Sequence, residues 1–216
     1  IDKTAYSNYV KTIIKSNKNI VLVEDEVVSF KTKNGGIFSA ILRSGRSIFC
    51  SSLIVTSGTF LNGKIHVGLR SFNAGRFGEK PSRGLTEALV NRGFEFGRLK
   101  TGTPPRLLSS SIDWSRCEKA FGDNKPTPFS ISTKRPFIPK NIPCFITYTN
   151  ESSHSLIRDN IATSAMFSGK INAVGPRYCP SIEDKIFRFS DRKRHQVFLE
   201  PEWLNSDQIY VNGFST

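Results

Sequence analysis

The chain has 216 residues, 38% of them hydrophobic, which is enough for one large domain or two small ones with a real core. No apolar run approaches the ~18 residues of a membrane helix and no signal peptide is visible, so a cytoplasmic protein without a membrane partner is expected. A formal net charge of +13 favours a polyanionic partner, with nucleic acid the first candidate.

Tyr6, Tyr9, Val10, Ile13 and Ile14 recur at helical spacing with lysines between them, which predicts an amphipathic helix from near Thr4 to Asn17. Ile20 to Val23 reads as a short strand. Val27 to Lys33 and Ile37 to Arg43 flank Asn34-Gly35-Gly36, a hairpin signal, and Ser44-Gly45 turns the chain into Ser47 to Cys50. Ser52 to Thr56 then runs as a strand into Ser57-Gly58. Helix, strand, three-stranded meander and a strand ending in glycine is a layout shared by two-dinucleotide-binding flavoproteins, although many α/β domains contain a meander.

From Gly58 to Arg106 glycine is dense, which predicts loops that bring their backbone close to something, or plain flexibility. Within this path Pro81-Ser82-Arg83-Gly84 precedes a short helix carrying Leu85, Ala88 and Leu89 and closing near Gly93. Ser82 is a candidate cap, and the helix start a candidate phosphate site. Neither G-x-G-x-x-G nor a Walker motif occurs. Leu99 to Arg106 reads as a rigid basic turn, and 107–143, rich in Ser, Pro and Lys, as an irregular inserted lobe. Cys144 to Tyr148 is a predicted strand. Asn150 is a predicted cap for a helix with Leu156, Ile157 and Ile161 on one face, and His154 there is expected to be a hydrogen-bonded surface residue.

The four cysteines, Cys50, Cys117, Cys144 and Cys179, are widely spaced and lack a C-x-x-C pair, which argues for reduced thiols rather than zinc. Cys179 stands in the stretch with the most candidate chemistry: Gly175, Pro176, Arg177, Tyr178, Cys179, Pro180, Ser181, Ile182, Glu183, Asp184, Lys185, Ile186, Phe187, Arg188 and Phe189. Ile171 to Val174 leads in as a strand, and Ser181 with Asp184 forms a capping-box pattern that opens a helix. Cys179 then precedes a helix N-terminus, and Arg177 and Lys185 add positive charge that favours a thiolate or a phosphate-bearing ligand. The alternative is an ordinary capped helix with an inert cysteine. Beyond it Arg188, Arg192, Lys193, Arg194 and His195 interleave with Phe187 and Phe189, as single-stranded RNA binding needs, or as a solvated basic face over two core rings. Gln196 to Leu199 reads as a strand. The chain begins at Ile1 and stops in a loop-like Asn212 to Thr216, and so reads as a piece of a longer protein.

Five segments carry a resemblance to a known family. They are Gly58 to His66, Gly97 to Arg106, Pro143 to Thr147, Gly175 to Phe189, and His195-Gln196-Val197-Phe198-Leu199-Glu200-Pro201-Glu202. In order and nearly gap-free, they resemble the MnmG (GidA) family, the flavoprotein subunit of a tRNA wobble-uridine modifying enzyme. The resemblance implies FAD as cofactor, NADH as reductant and methylene-tetrahydrofolate as one-carbon donor. It also implies addition of a (carboxymethyl)aminomethyl group at C5 of the wobble uridine, by a homodimer bound to the GTPase MnmE. By position, Val27 and Ser82 correspond to FAD contacts, and Gly175 to Phe189 to the NAD-binding segment. Cys179 is then the best nucleophile candidate, since a thiolate adding at C6 of uracil makes C5 nucleophilic.

The implied fold is α/β: part of a two-dinucleotide-binding, Rossmann-like FAD domain with an inserted NADH-binding α/β lobe. Residues 1–60 are assigned to the FAD domain, 61–106 to a glycine-rich connection with an FAD contact, 107–205 to the inserted lobe facing NAD and tRNA, and 206–216 to the return. The family's glycine-rich FAD fingerprint and C-terminal portion do not occur, so the isolated chain is expected to bind FAD poorly and to be inactive. The alternatives are a folate- and flavin-dependent tRNA uridine methyltransferase and a non-catalytic basic RNA-binding module.

Overall fold

A computed structural model of the chain describes residues 2–171, 173–175 and 180–216. Two compact units emerge. One comprises Ile14–Arg98 with Ala162–Ala173, the other Ile1–Ile13, Leu99–Ile161 and Val174–Thr216.

Helix α1 (Lys3–Ser16) starts where Asp2 accepts the Ala5 amide, but it buries none of its residues. Its predicted apolar face is intact and exposed at Tyr6, Tyr9 and Ile13.

In the first unit β1 (Val27–Lys33) and β2 (Gly36–Leu42) pair antiparallel through the two-residue turn Asn34-Gly35. Both turn residues have positive φ, 52° and 77°, which matches the twist of a hairpin. β3 (Ser47–Phe49) completes the meander on β2. A second hairpin, β4 (Lys64–Val67) with β5 (Arg70–Asn73), lies inside the stretch expected to be loops. Its signal was in the sequence: Gly68, with φ 54°, opens a two-residue turn between Val67 and Arg70. Helix α2 (Leu85–Val90) lays Leu85 and Ala88 on Phe30, with Val27, Ile37, Leu53, Leu61 and Leu89 around them. Ile20 to Val23 and Ser52 to Thr56 are not strands. Apolar runs need a ladder partner, none pairs with them among the described residues, and Val21 and Ile54 stand 86% and 84% exposed.

In the second unit β6 (Arg106–Leu108), β7 (Glu118–Ala120), β8 (Cys144–Tyr148), β9 (Gln196–Pro201) and β10 (Gln208–Asn212) form one antiparallel sheet in the order β6-β10-β9-β8-β7. Strand alternation places Val197, Leu199, Ile209 and Val211 in the core, where Ile112, Trp114, Phe145 and Phe214 cover them. Residues 107–143 are irregular only in part, because β7 joins the sheet and Trp114 anchors two 3-10 turns through its bond to the Ser109 carbonyl at 3.1 Å. Of the expected strand Ile171 to Val174, Asn172 lies outside the described residues, and Val174 forms a parallel bridge to Leu99.

Two short helices lie on this unit. α3 (Glu151–Asp159) opens with the predicted Asn150 cap, which accepts the Ser153 amide at 2.9 Å, and α4 (Ile182–Arg188) opens at Ser181. Among the described residues no helix is long and apolar enough to cross a membrane.

Candidate functional site

Of the expected FAD contacts, Ser82 belongs to a polar cluster in the first unit, while Val27 packs against the Phe30, Leu85 and Ala88 core. Ser82 Oγ donates to Glu26 Oε1 at 2.6 Å, and Glu26 immediately precedes Val27. Arg43 Nε donates to the other Glu26 oxygen at 2.5 Å and its guanidinium also reaches the Arg83 carbonyl at 3.1 Å. The Arg43 hydrogen bond, aided by Ser82, holds the Glu26 carboxyl down at about 2. The backbone of the same loop is fixed as well: the Asn62 amide donates to the Ser82 carbonyl at 2.8 Å, and the Asn62 side chain to Glu87 at 3.0 Å. Gly84 holds this loop against β1, since a Cβ there would meet the Val28 carbonyl oxygen at 2.7 Å. Glu26, Arg43 and Asn62 escaped sequence reasoning because their pairing spans tens of residues.

Thr86, in the first turn of α2, has a buried hydroxyl without a partner among the described residues, and the Arg83 side chain forms no ion pair there. Arg83, exposed beside Ser82, offers a cation to the polar side of a dinucleotide, whereas the buried Thr86 hydroxyl is closed to a ligand.

In the second unit the capping box at Ser181 forms as predicted. The Asp184 amide donates to Ser181 Oγ at 3.2 Å, and the Ser181 amide to the Asp184 carboxylate at 3.3 Å. Ser181 and Asp184 are buried, Ile182 and Ile186 anchor α4 in the interior, and Pro180 and Glu183 are half-buried. Phe187, Arg188, Phe189 and Gly175 are exposed. Pro176, Arg177, Tyr178 and Cys179 lie outside the described residues. Lys185, expected to add positive charge for an anion, donates to the Gly213 carbonyl at 2.7 Å and keeps its charge, and the Ile182 amide donates to the Ser215 carbonyl at 2.7 Å. The start of α4 is thus bonded largely by its own chain, with Glu183 and Asp184 in the first turn.

His154 is hydrogen-bonded, as expected, but at 1% exposure it is not on the surface. Thr149 Oγ1 lies 2.7 Å from His154 Nε2 and accepts the His195 amide at 2.8 Å. The hydroxyl's one proton serves either His154 Nε2 at 2.7 Å or the His195 carbonyl at 3.5 Å, according to the His154 tautomer. The two imidazole rings stand 5.3 Å apart. His195, expected in a basic RNA-facing cluster, is buried. Its neighbours do pair cations with rings, Arg192 over Phe189 at 5.4 Å and Arg194 over Tyr148 at 4.3 Å.

Burial pushes the His195 pKa down, helped by His154, Lys185 and Arg192 and opposed by Asp191. The unfolded chain therefore binds the proton first, and stability falls as pH drops below about 6.5, by at most about 1.4 kcal/mol per pH unit. Replacing His195 by leucine, which also removes a buried Nε2 without a partner, should flatten that slope between pH 6.5 and 5.5. Carboxylates such as Glu26, with its pKa of about 2, contribute loss only at lower pH. Denaturation midpoints across the two pH values test this, and equal slopes in both proteins would refute it.

An open cavity of about 570 Å³ borders the same network, lined by Leu107, Ile112, Arg116, Thr149, Asn150 and Phe214 among others. Among the described residues no group of His, Cys, Asp and Glu could hold a metal ion.

These elements define a mixed α/β protein, one unit a meander carrying a helix and the other a helix-backed antiparallel sheet. The same architecture occurs in GidA from Aquifex aeolicus, with TM-scores of 0.90 and 0.87 at 41% and 40% identity in two crystal forms; all of this chain is covered, against 37% and 34% of those chains. The model of the family described as Glucose inhibited division protein A matches residues 1–216, and the chain belongs to that family. Two relatives are named tRNA uridine 5-carboxymethylaminomethyl modification enzyme MnmG. The one from Thermodesulfovibrio yellowstonii is 47% identical over 215 residues, and the one from Chlorobium phaeobacteroides 49% identical over 216. All of this chain is covered in both, but only 34% and 35% of the relatives, so it spans about a third of their length.

Proposed function

We propose that the chain is part of a flavin-dependent enzyme that modifies C5 of the wobble uridine in tRNA. One observation carries this: identity of 47–49% to relatives named as tRNA uridine 5-carboxymethylaminomethyl modification enzymes runs the whole length of the chain. Residues 1–60 belong to the FAD domain and 61–106 to the glycine-rich connection that contacts the cofactor, with Val27 and Ser82 at FAD and Arg83 at hand for its polar atoms. The lobe from residue 107 onward faces NADH and tRNA, and 206–216 leads back toward the FAD domain. Gly175 to Phe189 receives the nicotinamide dinucleotide, with α4 as its fixed base. FAD when bound supplies the redox chemistry, NADH the reducing equivalents and methylene-tetrahydrofolate the carbon.

Cys179 is the proposed nucleophile: its thiolate adds to C6 of the uracil and leaves C5 nucleophilic, and the later loss of the C5 proton expels the thiolate. The protein works in the cytoplasm as a homodimer with the GTPase MnmE. The full-length protein, given tRNA, FAD, NADH, methylene-tetrahydrofolate and MnmE, is expected to yield C5-modified wobble uridine by nucleoside mass spectrometry. Cys179→Ser should abolish the product while flavin absorbance persists. Full modification by that variant would remove Cys179 from the role, and unmodified tRNA with the wild-type protein would remove the function.

A further inference from the structure

The connection from β7 to β8, residues 121–143, is the longest irregular stretch of the second unit. Connections of this length without secondary structure are uncommon in compact domains and are functional or disordered when they occur. This one is held at its base. Asn141 accepts the Gly122 amide through Oδ1 at 3.1 Å and returns a bond from Nδ2 to the Gly122 carbonyl at 3.2 Å. The clasp continues the β7–β8 ladder, in which Ala120 faces Cys144. Pro126, Pro128, Pro136, Pro139 and Pro143 stiffen the path, and the Thr133 amide closes a turn onto the Ser130 carbonyl at 3.2 Å.

What this tethered loop presents is unusual in combination. Phe129 and Ile131 are 111% and 106% exposed, with Phe121 and Ile138 also outward. Lys125, Lys134, Arg135 and Lys140 form no ion pair among the described residues, and Asp123 is the one acidic residue from 121 to 150. An apolar protein groove would have to desolvate four uncompensated cations. A strand of RNA with unpaired bases meets both features, its phosphates facing the cations and a base face meeting the ring.

We propose that residues 121–143 are an RNA-contacting arm, in which Lys125, Lys134, Arg135 and Lys140 hold backbone phosphates and Phe129 stacks on an unpaired base. This rests on the reading that the protein acts on tRNA, and adds to it the surface that grips the RNA. Prolines and the Asn141 clasp lower the ordering cost of such a contact.

The test is fluorescence anisotropy of the full-length protein with a labelled RNA hairpin bearing an unpaired loop, and with a blunt RNA duplex, over a salt series. Replacing all four cations by alanine should weaken hairpin binding at least tenfold and lower the slope of log affinity against log salt by up to about three. Phe129→Ala should weaken hairpin binding about tenfold and leave the duplex unaffected. These positions are on the surface, so circular dichroism should be unchanged in both variants. Wild-type binding with both variants equal to it would overturn the arm while sparing the tRNA reading. No hairpin binding by the wild type would overturn both. Intact RNA binding with lost association to an acidic protein would assign the arm to that protein and overturn the RNA contact.

Discussion

Gly84→Ala should destabilise the meander and α2 by about 3 kcal/mol or more, from two separate sources. Gly84 has φ 102°, a backbone state that costs an L-residue about 1–3 kcal/mol. Its new Cβ would also stand 2.7 Å from the Val28 carbonyl oxygen, and neither the helix start nor β1 can yield without opening the packing of Leu85 on Phe30. Overpacking of that kind costs about 1–3 kcal/mol more. Gly78→Ala is the control: its φ is 85°, but no atom lies within 4 Å of the added carbon. It should cost only about 1–2 kcal/mol. Hydrogen exchange in the full-length protein measures the difference, because it reports the local opening of 27–42 and 85–92. Exchange there should accelerate at least a hundredfold in Gly84→Ala and about thirtyfold or less in Gly78→Ala. Equal rates in the two variants would mean that contact with Val28 does not hold the loop. On the proposed FAD contact at Ser82, Gly84→Ala should also lower flavin occupancy in the full-length protein, whereas Gly78→Ala should not.

Local chemistry made some of this readable from residues alone. The Asn34-Gly35 turn, the Asn150 cap and the Ser181–Asp184 box each depend on a few neighbours, and each forms where the sequence puts it. Apolar runs misled where the partner is remote. Ile20 to Val23 and Ser52 to Thr56 have strand composition, but no ladder reaches them among the described residues. The sheet of the second unit joins β6 to β10 across about a hundred residues, and nothing in Arg106-Leu107-Leu108 names Tyr210 as a partner. The candidate site divides in the same way. Val27 and Ser82 came from family resemblance, while Glu26 and Arg43, which tie them together, became visible only once β1 and β2 were paired. His154 looked like a surface residue because helix periodicity says which face it shares and not what covers that face.

Thr149→Val should cost about 2–4 kcal/mol in the second unit, although valine matches threonine in size and suits the end of a strand. The loss comes from two buried groups at once. The His195 amide loses its acceptor at 2.8 Å, and His154 Nε2 its partner at 2.7 Å, in a place where His154 is 1% exposed. Each buried polar group left without a partner costs about 1–3 kcal/mol. Thr149→Ser keeps the hydroxyl and removes only a methyl, so it should cost about 1 kcal/mol. The hydroxyl ties the end of β8 and the segment leading into β9 to α3, beside the Thr149 amide's own bond to the His195 carbonyl at 3.0 Å. Opening should therefore appear first in 144–159 and 195–199, and hydrogen exchange there should rise at least thirtyfold in the valine variant and severalfold in the serine variant. If the two variants matched, the methyl packing of Thr149 would be holding the sheet end and the hydroxyl would not. Combining Thr149→Val with His154→Leu gives the decisive comparison, because removing both partners leaves one orphaned group, the His195 amide, instead of two. The double variant should be more stable than the sum of the single losses, by about 1 kcal/mol or more.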